Sequence, residues 1–199
     1  MIPVAAKPEP PTFDAKIRQK GLAYLAKKGI PLNQPLPAKL EIQPYWRACL
    51  TDLHQAYGGI CAYLGVFFER VMGSGGVDHF VAKSGQASLA YEWSNYRLAC
   101  STMNSRKREY SDVLDPFHLA PGLFRLQLST GHIYPNPHLE TTAMRIVEQT
   151  IERLGLDAPQ CRELRARWYQ EYLEHGLPSD YLKQRSPFVW HEANRQGLL

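Results

Sequence analysis

The sequence predicts an α+β fold: a small strand, strand and helix unit embedded in a mostly helical single domain. Three observations lead there. Apolar residues recur at helical spacing near the start and through the last third of the chain, while β-branched and aromatic runs are confined to the middle. Of the 199 residues, 44% are hydrophobic, enough to build one substantial core. The chain divides into a proline-rich arm with one helix (1–44), a central core with a following hairpin (45–135) and a helical cover (136–199).

The elements follow in order. Pro3, Pro8, Pro10 and Pro11 remove amide donors and fix φ, so residues 1–12 read as an extended arm. From Phe13 to Lys28, Ile17, Leu22, Tyr24 and Leu25 share a helix face, with Lys16, Arg18, Lys20, Lys27 and Lys28 toward water; Gly21 weakens this helix. Pro31, Pro35, Pro37 and Pro44 mark a second extended link. Helical spacing returns from Tyr45 to Tyr57 and ends at Gly58 and Gly59.

ICAYLGVFFERV reads as one or two strands, and Gly73, Gly75 and Gly76 as a flexible turn. VDHFVAK is a predicted strand, Gly85 to Trp93 a loop with a helical turn, and Tyr96 to Cys100 a second strand. Ser101 is placed to cap a helix reaching Glu109. LFRLQLSTGHIYPNP alternates into a hairpin turning near Thr130 and Gly131. Met144, Val147, Ile151 and Leu154 form one helical stripe, and Leu164, Trp168, Tyr172 and Leu173 another; two shorter helices, at Tyr181 to Arg185 and through Phe188 to Ala193, close the chain.

Composition narrows the functional classes. The net charge of +4 is mild, so only the placement of basic residues can point to nucleic acid. The first residues, MIPVAAKPEPP, have neither a basic region nor an apolar core of a leader, and no apolar run approaches the roughly 20 residues of a membrane span. With Cys49, Cys61, Cys100 and Cys161 widely spread, the expectation is a reduced, cytoplasmic protein without disulfides.

The chemistry gathers between Val77 and Glu109. Asp78 and His79 are adjacent, Asn95 follows on the loop side of the second strand, and Asn104 lies in the first turns of the next helix. Neighbours on a strand point to opposite faces, so Asp78 and His79 reach one site only where a bend re-aims one of them. Asp78 and Asn104 offer hard oxygen ligands suited to Mg²⁺ or Mn²⁺. His79, with an ordinary pKa near 6.5, can take a proton from an attacking water at neutral pH. Asn95 is placed to tie down the loop and orient His79. Together these are the parts of a one-metal phosphodiesterase.

VDHFVAKS, the NYRLAC strand and MNSRK resemble the HNH endonucleases, whose ββα-metal motif combines a strand-borne Asp-His, a loop Asn and a helix-borne His or Asn. The resemblance covers roughly Ile60 to Glu109. It implies His79 as general base, Asp78 and Asn104 as ligands of one divalent cation, Asn95 as the structural Asn, and DNA as substrate. CAYLG and DHFVAKS are most similar to bacterial HNH proteins paired with an ATPase in Septu-type and retron-linked anti-phage systems, which implies antiviral defence and a protein partner such as that ATPase.

Many HNH proteins carry CxxC on both flanks of the motif for a structural zinc. Here the corresponding quartets are CAYL at 61–64 and CSTM at 100–103, and two thiolates do not close a tetrahedral site. A structural zinc is not expected; apolar contact takes its place, with Cys61 and Cys100 as neighbours.

Lys83, Arg97, Arg106, Lys107 and Arg108 are the candidate phosphate contacts. The remaining histidines show no ligand spacing, Glu69, Asp112 and Asp115 read as salt-bridge or turn residues, and Trp46, Trp93, Trp168 and Trp190 as core or interface anchors. The competing function is a non-catalytic HNH-fold subunit that uses its proline-rich arm or its C-terminal helices to hold a partner protein.

Overall fold

A computed structural model describes residues 1–37, 40–72 and 75–199. Two hydrophobic cores lie on either side of a two-stranded antiparallel sheet. β1 (Gly75–His79) and β2 (Tyr96–Cys100) pair in a register that sets Gly76 opposite Ala99, Asp78 opposite Arg97 and His79 opposite Tyr96. Val77 and Leu98 belong to one core, while Ala99 and Cys100 belong to the other. The sheet is therefore the partition of the molecule, which explains why all of β2 is buried.

The first core is built from the N-terminal third. A π-helical turn (Asp14–Arg18) leads into α1 (Gln19–Lys27), whose stripe of Phe13, Ile17, Gly21 and Leu25 is buried against Tyr91, Trp93 and Tyr96. Gly21 is required there, because a Cβ would fall 2.2 Å from the Tyr91 ring. Arg18 fastens the helix by gripping three carboxylates, Glu9, Asp14 and Glu92. The arm before it is extended, as its prolines require, and Lys7 bonds to Tyr57 and Trp93. A short 3-10 turn (Tyr45–Cys49) and α2 (Leu50–Ala56) complete this side, ending at Gly58 and Gly59 with φ of +57° and +70°.

The second core holds α3 (Ser101–Lys107), the hairpin β3 (Phe124–Gln127) and β4 (His132–Pro135), and the helices α4 (Thr141–Leu154), α5 (Pro159–His175), α6 (Ser179–Arg185) and α7 (Pro187–Arg195). On α5 the expected stripe stops short: Leu173 is 59% exposed. Nearer its start, α5 buries Arg165, which is bonded to the carbonyls of Gly131 and Leu156.

Three local expectations are corrected. Residues 60–71 form no extended strand; a single bridge joins Ile60 and Phe67 around a tight turn in which Gly65 donates to Cys61 and Cys61 to Val66. Gly75 and Gly76 belong to β1 rather than to a turn, and Gly73 lies outside the described residues. Ser101 opens α3 but does not cap it: Cys100 holds the N-cap position in extended conformation. No helix among the described residues is long and apolar enough to cross a membrane.

Candidate active site

β1 stops at His79, and a cleft of about 390 Å³ opens there. Its walls include Asp78, His79 and Asn104, together with Trp46, Lys83 and Arg108. Three of the four central candidates thus meet at one place. Gly76 and Asp78 share a strand face, and a Cβ on Gly76 would stand 3.2 Å from Asn104 Nδ2. α3 consequently lays Asn104 on the face that carries Asp78. Val77 and His79 belong to the opposite face, and the end of the strand lets both faces border the cleft.

Asp78 is almost wholly buried, and Tyr63 donates its hydroxyl to Asp78 Oδ2 at 2.5 Å. Burial raises the Asp78 pKa, while the Tyr63 bond and the charges of Lys107 and Arg97 pull it back. His79 is 7% exposed and donates from Nε2 to the Ala90 carbonyl at 2.9 Å. That bond leaves Nδ1 as the unprotonated nitrogen. Burial, reinforced by Lys83, holds the imidazole pKa down to about 3, so the ring is neutral at pH 7. Trp46 and Tyr96 pack edge-on against it at 4.8 and 5.0 Å.

Asn95 lies behind the cleft and clamps the loop. Its Oδ1 accepts from the Val81 amide, and its Nδ2 donates to the carbonyls of Val81 and Leu89. The next carbonyl, that of Ala90, receives both His79 and Tyr96. Asn95 therefore acts on His79 through one backbone step and does not itself border the cleft.

No family model and no curated protein matches the chain. Its functional reading rests on the geometry of this cleft.

The basic candidates separate into two groups. Lys83 and Arg108 border the cleft. Arg97, Arg106 and Lys107 do not, and the expectation that they contact phosphate is corrected. Arg97 is 2% exposed, paired twice with Asp115 at 2.7 and 2.6 Å, and stacked 3.6 Å over the Phe117 ring. Lys107 is fully buried and donates to the Phe80 carbonyl. Arg106 reaches the carbonyls of Leu154 and Gly155, at the C-terminal end of α4, where a cation is favoured. Arg97 and Lys107 are interior cations whose charges act on the buried Asp78. Arg108 alone has the strained backbone of the site, with φ at +46° directly after α3.

Trp46, Arg47 and Tyr63 were not recognised from sequence as site residues. Trp46 is half-buried between His79 and Lys83, whose Nζ lies 4.5 Å from its ring centre, so it is a cleft wall as well as an anchor. Arg47 is exposed on the same rim. The only sequence signal for either was a tryptophan and an arginine together at the start of a helical stretch.

The donor set suits a hard cation held mostly by water and phosphate. Asp78 keeps Oδ1 free of protein hydrogen bonds among the described residues, and Asn104, which lines the same cleft, carries an amide oxygen as a second hard donor. Among the described residues no three His, Cys, Asp or Glu side chains converge as a metal cluster. Away from the cleft, Cys61 and Cys100 line one pocket and belong to one core. Burial, with Cys100 alongside, raises the Cys61 pKa, while Cys61 and the backbone of Met103 and Thr102 lower that of Cys100. Leu64 and Met103 are both buried in the same core.

Proposed function

We propose that the protein is a metal-dependent HNH-type endonuclease that hydrolyses phosphodiester bonds in nucleic acid, with DNA as the expected substrate. The observation that carries this reading is the convergence of Asp78, His79 and Asn104 on one cleft, with His79 anchored through Nε2. Neutral His79 accepts a proton from the attacking water at Nδ1. The Ala90 carbonyl, steadied by Asn95 and Tyr96, keeps the ring in that orientation and favours the imidazolium as it forms. Asp78 and Asn104 would hold the divalent cation, Mg²⁺ or Mn²⁺, which when bound stabilises charge on the leaving oxygen. Lys83, Arg47 and Arg108 line the rim as phosphate contacts. A cytoplasmic location and a role in anti-phage defence beside an ATPase partner belong to the same proposal.

The alternative, a non-catalytic HNH-fold subunit that docks on a partner protein, would use a surface other than the apolar face of the arm helix, which packs on Tyr91, Trp93 and Tyr96 of its own chain. The test is cleavage of plasmid and oligonucleotide DNA with Mg²⁺ or Mn²⁺, alongside His79→Ala. Loss of cleavage by at least 100-fold in the variant is expected; undiminished cleavage overturns the mechanism.

A further inference from the structure

The cleft continues past His79. Trp46, Arg47, Lys83 and Glu109 also wall a second concavity of about 890 Å³, within the size range of about 300–1,000 Å³ typical of small-molecule sites. Its other wall is apolar: Leu36, Pro37, Leu40, Ile42 and Pro44.

We propose that this groove seats an unpaired nucleotide beside the phosphate to be cut, so that the substrate class is single-stranded or locally unpaired nucleic acid. The inference rests on the nuclease reading above. Charge is the first argument. Among the described residues, the groove presents Arg47 and Lys83 against Glu41 and Glu109. Such a balanced lining does not grip a run of duplex phosphates, which calls for an array of cations. Both cations, Arg47 and Lys83, stand where groove and cleft meet, beside one carboxylate, Glu109, and this excess of positive charge suits a phosphate at the junction. Shape is the second argument. A wall of proline and aliphatic side chains ending at a tryptophan accommodates the flat face of a base, and a base reaches such a wall only when it is out of the helical stack. Lys83, held over the Trp46 ring at 4.5 Å, keeps its ammonium at the junction.

The test uses the full chain carrying His79→Ala, in EDTA, with fluorescein-labelled DNA: a single strand, a perfect hairpin duplex and a bulged duplex, read by anisotropy. Single-stranded and bulged DNA should bind at least tenfold more tightly than the perfect duplex. Leu36→Glu, at a half-buried wall position, and Pro37→Glu, at an exposed one, should each remove about tenfold for unpaired DNA while duplex binding stays constant. Equal binding of all three DNAs, or no effect of both variants, overturns the proposal. The unmutated chain, assayed with Mn²⁺, separates the two readings. His79-dependent cleavage of perfect duplex with no preference keeps the nuclease and removes the groove; preference for unpaired DNA without any cleavage keeps the groove and removes the nuclease.

Discussion

The Tyr63 hydroxyl meets Asp78 Oδ2 at 2.5 Å inside the protein, and among the described residues it is the only hydrogen bond to that carboxylate. Tyr63 comes from the tight turn after Gly59, and Asp78 from the strand beside it, so the bond joins the turn to the cleft. A hydrogen bond to a buried charged group contributes about 1.5–3 kcal/mol. Tyr63→Phe keeps the ring in the core and removes only that bond. The expected result is a loss of that size in denaturant unfolding, and a higher Mn²⁺ concentration for half-maximal cleavage. Unchanged metal dependence would show that Asp78 is held in place by packing alone.

Gly21 gives a prediction of opposite sign to helix propensity. In an exposed helix interior, Gly→Ala stabilises by about 1 kcal/mol. Here the added methyl would enter the Tyr91 ring, and Tyr91 adjoins the Ala90 carbonyl that anchors His79. Gly21→Ala should destabilise by about 1–3 kcal/mol and lower cleavage as well. A thermal melt at or above that of the unmutated protein would place the helix farther from Tyr91.

The contrast between Gly21 and Arg97 shows what the sequence made legible. Period and punctuation located the helices and the Tyr96–Cys100 strand within a residue or two, since those signals are local. The Asp78, His79 and Asn104 convergence was legible because a strand and the helix after its partner are close in chain and in space. Gly21 read as a weakness because the ring it admits is seventy residues away. Arg97 and Lys107 read as surface charges because composition does not reveal that Asp78 and Asp115 are buried beside them. The turn at Cys61 read as strand because its aromatic residues fill a core, a demand that strand and tight turn share.

The Arg97–Asp115 pair predicts an acid limit to stability. Burial pushes the Asp115 pKa up, but the Arg97 guanidinium and the Phe117 amide outweigh it, and the net shift is downward. A carboxylate with a lowered folded-state pKa contributes stability above its unfolded value of about 3.9. That contribution is lost as pH falls through the folded-state pKa. Asp115→Asn leaves Arg97 buried without its counter-charge, at a cost of about 3–5 kcal/mol at neutral pH. The variant should also show a shallower fall in stability below about pH 4. Parallel acid limbs for the two proteins would assign the acid sensitivity to other carboxylates.

The paired thiols make a final prediction about how the turn and α3 are joined. Cys61 and Cys100 line one pocket, and Leu64 and Met103, three residues after each, are buried in the core they share. Apolar packing thus occupies the two positions at which a tetrahedral zinc site needs further thiolates. Leu64→Cys with Met103→Cys removes two apolar side chains, so the metal-free double variant should be destabilised by about 2–5 kcal/mol. Supplying the missing ligands should let it bind one zinc ion per chain and recover stability, because metal affinity adds directly to folding free energy. Zinc titration followed by thermal melts reads both effects. A double variant that is destabilised and gains nothing from zinc would show that the four positions face one another too loosely for a metal, and that the packing between turn and helix differs from a zinc clamp in geometry as well as in chemistry.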